Sequence, residues 1–286
     1  PAISNILTSV PGRWWKQDNV REDSQKAIFG EATWPLSDKT DLTVGMRAYK
    51  NEANFDAKDG YMGYYQDHPI LSWAAGRTEK YTKDFSDVSP KINIAHKLND
   101  DELLYATYSE GFRPSGTNRL NRQARESGIV PATYDSDTLT NFEAGFKSTL
   151  ADGKIVLNGN LHTMNWDDFQ STSYIYDLLT VAFVQNVGQA TISGLELESY
   201  FNISDSFSAS LMLALTDPEF KEDIYDLQGQ LSTPKGNQLA YVPTEQFVMS
   251  MNKDFVIRNR DAYVSYDHSY TGEIYQSSAN TDTNAS

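Results

Sequence analysis

Small or apolar side chains alternate with polar ones in segments of roughly ten residues, and this pattern recurs about ten times along the chain. The segment Ser206–Leu215 is the clearest copy, with Leu211 and Leu213 on one face and Ser208 and Ser210 on the other. Alternation over about ten residues is typical of a strand that crosses the outer membrane with one face in lipid. Strands of soluble sandwiches usually have about five or six residues. We therefore predict an all-β protein, an antiparallel transmembrane β-barrel.

Two kinds of connector alternate between these segments. Short ones, rich in Asp, Asn, Gly and Ser, favour tight turns in which some residues take a positive φ. They are Leu36–Thr40, Asn99–Glu102, Ala151–Lys154, Ser204–Ser206 and Arg258–Asp261. The long ones are Ala53–Lys80, Pro114–Thr133, Ser171–Gln185, Pro218–Ala240 and the tail after Gly272. Short turns at one end and long loops at the other predict a barrel whose long loops face outward.

The requirement to keep charge out of lipid predicts which side chains share a face. A charged residue on the lipid face near the bilayer midplane costs about 2–4 kcal/mol. We expect Arg47, Asn141, Glu143, Lys147, Asn158, Asn160, His162, Glu196 and Glu198 to face the lumen. Leu42, Val44, Met46, Phe142, Ala144, Phe146, Leu157, Leu161, Leu195, Leu197 and Phe201 would face lipid. A large antiparallel sheet in a soluble protein is the alternative, since its outer face also alternates.

Composition agrees with a barrel and excludes several other classes. The mean hydropathy of -0.54 fits a barrel with a wet interior, in which only half the strand residues are apolar. Tyr is abundant, with 17 residues, as expected for aromatic girdles at the lipid interfaces. The absence of Cys excludes disulfides and thiolate metal sites. A net charge of -15 disfavours nucleic acid as a partner.

The two ends of the chain predict that it is a segment of a larger barrel. Pro1–Asn5 has neither the basic region nor the hydrophobic stretch of a signal peptide. Ser277–Ser286 is polar and no strand pattern follows it. We expect a fragment of about ten strands, with further strands outside residues 1–286.

No pattern in the chain indicates an enzyme. The four His residues are dispersed, without metal-binding spacing, and no nucleophile, phosphate-binding or dinucleotide motif is present. Acidic pairs such as Asp100-Asp101 and Asp167-Asp168 fall in turns or at strand ends, where solvation and turn chemistry explain them. We therefore expect no catalytic residue, no cofactor and no metal site.

One basic stretch stands out in this acidic chain. Gly111–Arg125 contains Arg113, Arg119, Arg122 and Arg125 and no carboxylate. Because the guanidinium group binds carboxylate and phosphate through paired hydrogen bonds, the stretch is a candidate contact for an anionic ligand. Alternatively, these arginines pair with acidic residues of the lumen or with anionic lipid headgroups.

Several motifs, in order along the chain, resemble the mid-barrel region of TonB-dependent outer-membrane receptors. Val88–Phe112 with Arg113-Pro114 resembles the family's "SPK" strand, turn and "lYa.ysegFR.p" strand. Leu139–Thr149, Gly153–Gln170 and Asn186–Tyr200 resemble its "nyElGlKs", "w.dfQ" and "N.g.a...GlE.e" segments. Ala27–Thr33 and Leu42–Tyr49 fit the preceding hairpin.

This resemblance implies a fold and a function. It implies a barrel of about 22 strands with a plugged lumen, of which residues 1–286 are a part without the N-terminal plug and the last strands. It implies active uptake across the outer membrane of a Gram-negative bacterium, with energy supplied by the TonB complex through the plug. The default cargo is a ferric siderophore, and an oligosaccharide, a vitamin or haem are alternatives.

In such a receptor the long loops capture the ligand, so their aromatic and cationic residues are the candidate contacts. Tyr64, Tyr65 and Trp73 lie in the first long connector, and Arg113, Asn118 and Arg119 at the start of the next. For the tyrosines, a place in the interfacial girdle is an equal alternative. Membrane lipid and lipopolysaccharide are expected partners of the barrel's outer surface.

Three rival functions share some of these features. A passive porin has similar strands but no plug. A soluble β-rich module that binds glycans would stay in solution without detergent. An outer-membrane enzyme would need a nucleophile–base pair, which the sequence does not offer.

Overall fold

The computed structural model describes residues 15–61, 77–119, 124, 127–175, 181–281 and 283–284. Ten long antiparallel strands form one sheet, and eight short strands pair in the connectors. The long strands are β1 (Trp15–Ser37), β2 (Thr40–Tyr61), β3 (Arg77–Lys97), β4 (Glu102–Arg113), β7 (Asp137–Leu150), β8 (Ile155–Asp167), β11 (Ala190–Ser204), β12 (Phe207–Phe220), β15 (Glu245–Ile257) and β16 (Arg260–Thr271). The short strands are β5 (Gly116–Thr117), β6 (Thr133–Tyr134), β9 (Gln170–Ile175), β10 (Val181–Asn186), β13 (Ile224–Tyr225), β14 (Leu231–Thr233), β17 (Ile274–Tyr275) and β18 (Thr283–Asn284).

Each long strand pairs with the long strand before it, so the sheet is an up-and-down meander. Within the described residues, β1 and β16 each have one neighbour and the sheet is open. The predicted short connectors are tight turns at one end of the sheet. Positive φ angles occur at Ala151 and Asp152 in one turn and at Arg258 and Asn259 in another, as the turn composition predicts. No helix in these ranges is both long and apolar enough to cross a membrane.

The strand register separates apolar from polar side chains across seven consecutive strands. One cross-strand row consists of Leu42, Ile94, Ala106, Ala144, Leu161, Leu195 and Leu215. The residues next to these in sequence form the row on the opposite face, namely Thr43, Asn93, Thr107, Glu143, His162, Gly194 and Thr216. We call the face with the first row the outer face and the face with the second row the inner face. The predicted division of side chains between the two faces is confirmed.

Contacts on the two faces differ as their environments require. On the outer face Leu161 is 60% exposed, in a band of large apolar side chains that are likewise exposed. On the inner face polar groups bond one another: the Glu31 carboxylate accepts from Lys91 at 3.0 Å, and the Glu143 carboxylate accepts from the Tyr105 hydroxyl at 2.5 Å. An apolar exterior and a polar interior are typical of an outer-membrane barrel.

The strands are longer than the alternation alone predicts. The first long connector was predicted to begin at Ala53, and this is wrong, because β2 continues to Tyr61 and β3 begins at Arg77. The inner-face side chains Ala53, Phe55 and Ala57 are buried in this extension. A strand can continue beyond the lipid when its backbone stays paired and its apolar side chains are covered from the lumen side.

Candidate ligand-binding cleft

Two long connectors fold back over the inner face of the sheet. Loop A, residues 114–136, joins β4 to β7 and contains β5 and β6. Loop B, residues 168–189, joins β8 to β11 and contains the β9–β10 hairpin. Strand β5 contacts β2 and β3, and the Asp135 carboxylate of loop A pairs with Lys83 of β3 at 2.5 Å. These contacts hold loop A against the wall at the end where the long loops lie.

A cleft of about 390 Å³ lies between the wall and the two loops. Its size matches a site that takes part or all of a small organic ligand. It is lined by Asn19, Arg21 and Phe55 of the wall, Thr117, Asn118, Arg119 and Tyr134 of loop A, and Thr172, Ala182, Phe183 and Val184 of loop B.

The polar lining of the cleft favours negative charge. Arg21 and Arg119 contribute cations, and no described lining residue is an acid. Outside the lining, Asp23 pairs with Arg21 at 2.7 Å, and both side chains are about half exposed. Burial works against the charge on Arg21, but hydrogen bonds with Asp23 and Tyr134 outweigh it and raise the pKa of Arg21. The Thr117 hydroxyl is buried and has no hydrogen-bond partner in the described part of the chain.

Two of the residues predicted from sequence, Asn118 and Arg119, line this cleft. The Asn118 carboxamide is already bound to backbone, since it donates to the carbonyls of Pro131 at 2.9 Å and Val184 at 2.7 Å and accepts from the Val184 N–H at 2.7 Å. Three other predicted residues, Tyr64, Tyr65 and Trp73, lie outside the described residues, as do Arg122 and Arg125. A ligand contact by any of the six predicted residues stays a prediction.

Arg113 lies at the base of the loops and pairs with an acid, which is one of the alternatives considered from sequence. Nε of its guanidinium donates to the Asp137 carboxylate at 2.9 Å. Nη2 donates to the same carboxylate and, at 2.9 Å, to the Gln170 carbonyl. The guanidinium also stacks over the rings of Trp166 and Phe169, 4.5 and 5.0 Å from their centroids. Arg113 thus ties together the ends of β4, β7 and β8.

Asp137 was missed by sequence reasoning, although it is almost fully buried and accepts four hydrogen bonds. It stands at the first position of β7, directly opposite Arg113. The two charges meet only because β4 and β7 pair in this register. A prediction of that register would have identified Asp137 as the partner of Arg113.

The sequence motifs around Arg113, Gln170 and Asn186 meet in this one place. The Gln170 carboxamide donates to the carbonyls of Pro114 at 3.0 Å and Asp135 at 2.8 Å. The Asn186 carboxamide donates to the carbonyl of Asp135 at 3.0 Å. Two carboxamides of loop B therefore satisfy backbone carbonyls of loop A, while the Arg113 guanidinium satisfies the Gln170 carbonyl of loop B, which explains why these residue types stand at these positions.

Comparisons with known proteins agree with this architecture. The sequence profile of the family described as "TonB dependent receptor-like, beta-barrel" matches residues 5–286. The pesticin receptors of Yersinia enterocolitica and Yersinia pestis are 23% identical over 219 residues, which is 76% of this chain and 28% of each relative.

Solved structures of similar shape include the ferric yersiniabactin uptake receptor FyuA from Yersinia pestis, with a TM-score of 0.75 and 18% identity over 95% of this chain. The siderophore receptor PiuA from Acinetobacter baumannii has a TM-score of 0.68 and 19% identity over 93% of this chain. The chain covers 38% and 36% of these two proteins, so it spans well under half of the length of the proteins it matches.

Proposed function

The chain belongs to the TonB dependent receptor-like β-barrel family of Gram-negative outer-membrane proteins, and we propose that it forms part of the wall and loops of a receptor that takes up a ferric siderophore. In this proposal the long loops capture the chelate from outside, and the TonB complex supplies energy through a plug inside the barrel. The barrel's outer surface contacts membrane lipid and lipopolysaccharide.

The cleft between the wall and loops A and B is the observation that carries this proposal. It lies on the inner face, at the end where the long loops lie, and its lining includes the guanidinium groups of Arg21 and Arg119. Phe55, Tyr134 and Phe183 add aromatic surface beside these cations. Cations beside aromatic faces suit an anionic, ring-bearing chelate better than a neutral sugar. The similar structures of a ferric yersiniabactin uptake receptor and of a siderophore receptor support the same ligand class.

Uptake of labelled iron by cells tests the proposal. A deletion strain that expresses the complete protein is offered ferric yersiniabactin, a ferric catecholate and a ferric hydroxamate in turn. We expect uptake of at least one chelate, and its loss on treatment with a proton uncoupler. Uptake that persists without the proton gradient would support the passive porin, and failure with every chelate would overturn the ligand class.

A charge variant tests the role of the cleft itself. Arg21→Gln combined with Arg119→Gln removes both cations and should weaken binding of the transported chelate at least about tenfold, because charge-assisted hydrogen bonds contribute roughly 1.5–3 kcal/mol each. Arg260→Gln, at the first position of β16 and at the opposite end of the sheet, is the matched control and should bind normally. Equal affinity of all three proteins would remove the cleft from the ligand site.

A further inference from the structure

Three asparagine side chains in the loops make the same unusual contact. Each carboxamide accepts from the backbone N–H of one residue in another segment and donates to the carbonyl of that same residue. Asn118 does this with Val184 at 2.7 and 2.7 Å, and Asn186 with Asp135 at 2.8 and 3.0 Å. Asn280 does it with Gln238 at 2.6 and 2.9 Å. A carboxamide placed in this way copies the pair of hydrogen bonds that one strand residue makes with its neighbour.

Two of these contacts run in opposite directions between the same two loops. Asn118 belongs to loop A and binds the backbone of loop B, whereas Asn186 belongs to loop B and binds the backbone of loop A. Asn118 is 3% exposed, so water does not readily replace its bonds. A satisfied carboxamide in a buried position is costly to separate from its partners, because each group would be left without a hydrogen bond.

Apolar packing joins the same two loops between the asparagines. Ala124 and Val130 of loop A form a buried cluster with Ile175 and Phe183 of loop B. Phe183 also lines the cleft. The loops therefore share the two asparagine contacts, the Gln170 hydrogen bonds to the carbonyls of Pro114 and Asp135, and one apolar core, and neither loop can move far without breaking them.

We propose that Asn118 and Asn186 join loops A and B into one cooperative unit, so that local unfolding of one loop is accompanied by local unfolding of the other. The two asparagines then act as positioning residues: they hold Thr117 and Arg119 of loop A at a set distance from Phe183 of loop B. Linkage requires the effect to be reciprocal, since weakening either contact favours local unfolding of both loops. This adds to the proposed function a statement on what keeps the cleft in shape, and its test needs no ligand.

Hydrogen–deuterium exchange of the complete protein in detergent measures this coupling. Asn118→Asp keeps an acceptor for Val184 but loses the donor to two carbonyls, and Asn186→Asp does the same toward Asp135. We expect Asn118→Asp to speed exchange roughly thirtyfold in residues 127–136 and also in residues 170–175 and 181–186, from the loss of about two buried hydrogen bonds. The Asn186 hydrogen bonds are more exposed, so Asn186→Asp should speed exchange in the same residues by about fivefold. Exchange in β7 and β8 should not change, which separates a positioning role from general destabilisation.

A matched control sharpens the test. Asn280→Asp breaks the same kind of contact elsewhere and should leave loops A and B unchanged.

The proposal is overturned if Asn118→Asp speeds exchange in loop A while loop B keeps its native rate, or if neither asparagine variant changes either loop. If Asn118→Asp does not fold, Asn186→Asp provides the same comparison from the other loop. Failure of this test leaves the uptake result untouched, and failure of uptake leaves the exchange result untouched.

Discussion

The pairing of Arg113 with Asp137 supports a prediction with a defined magnitude. Asp137 is buried and accepts from the Arg113 guanidinium and from the backbone N–H groups of Arg113 and Gln170, at 3.1 and 2.9 Å. Arg113→Gln leaves this carboxylate buried without its cation. Loss of one partner of a buried ion pair costs about 3–5 kcal/mol. Because the Arg113 side chain is 42% exposed, water screens part of the interaction, and we expect about 2–3 kcal/mol.

A double-mutant cycle isolates this interaction from the packing around it. Asp137→Asn leaves Arg113 without its anion, and we expect a cost of about 2 kcal/mol because the exposed guanidinium can turn to water. The combined variant removes both charges, so its cost should fall below the sum of the single costs by about 2 kcal/mol.

The free energy of unfolding in denaturant, measured for the complete protein in lipid vesicles, provides these values. Asp167→Asn is the control, because its carboxylate accepts an exposed hydrogen bond from the Gln189 carboxamide at 2.7 Å, and it should cost under about 1 kcal/mol. Additive costs for Arg113→Gln and Asp137→Asn would refute the claim that this pair joins the strand ends.

Two further substitutions test the faces of the sheet and the shape of the cleft. Leu161→Arg places a charge on the outer face in the middle of β8 and should lower the unfolding free energy in vesicles by about 2–4 kcal/mol, whereas His162→Arg on the inner face should cost little. Gly116→Ala puts a Cβ 2.5 Å from Cζ of Tyr134, which must leave the cleft, so chelate affinity should fall about tenfold in a binding assay. Gly111→Ala meets no atom within 4 Å and should bind normally; equal loss in both would contradict the steric argument.

The strands themselves are readable from the chain because their information is local. Leu161 and His162 are adjacent in sequence and lie on opposite faces. In a strand, successive side chains point to alternate faces, so an odd or even position decides the face. Turns such as Ala151–Gly153 can be recognised from their residue types, because the residues there adopt positive φ, which Gly, Asn and Asp tolerate best. The lengths of the strands were harder to predict. Strand β2 continues past Ala53, where it pairs with β1 and β3 and contacts β5 of loop A, and no local pattern encodes these distant contacts.

The candidate cleft depends on residues that are far apart in the chain. Asn118 and Val184 are separated by 66 positions, and their hydrogen bonds exist only once loops A and B fold against each other. Arg113 looked like a ligand contact because nothing in its own segment balances its charge, while its partner Asp137 lies 24 positions away. Arg119 lines the cleft, but its neighbours Arg21 and Phe55 come from the wall, far from it in sequence.

The sequence by itself determined the class of fold, the two faces of each strand and the positions of the short turns, because these follow from side-chain alternation and from backbone preferences within a few residues. The tertiary structure alone decided which loop side chains meet, which charges are paired and where a ligand has room, because long loops have no periodicity and take their shape from contacts across the sheet.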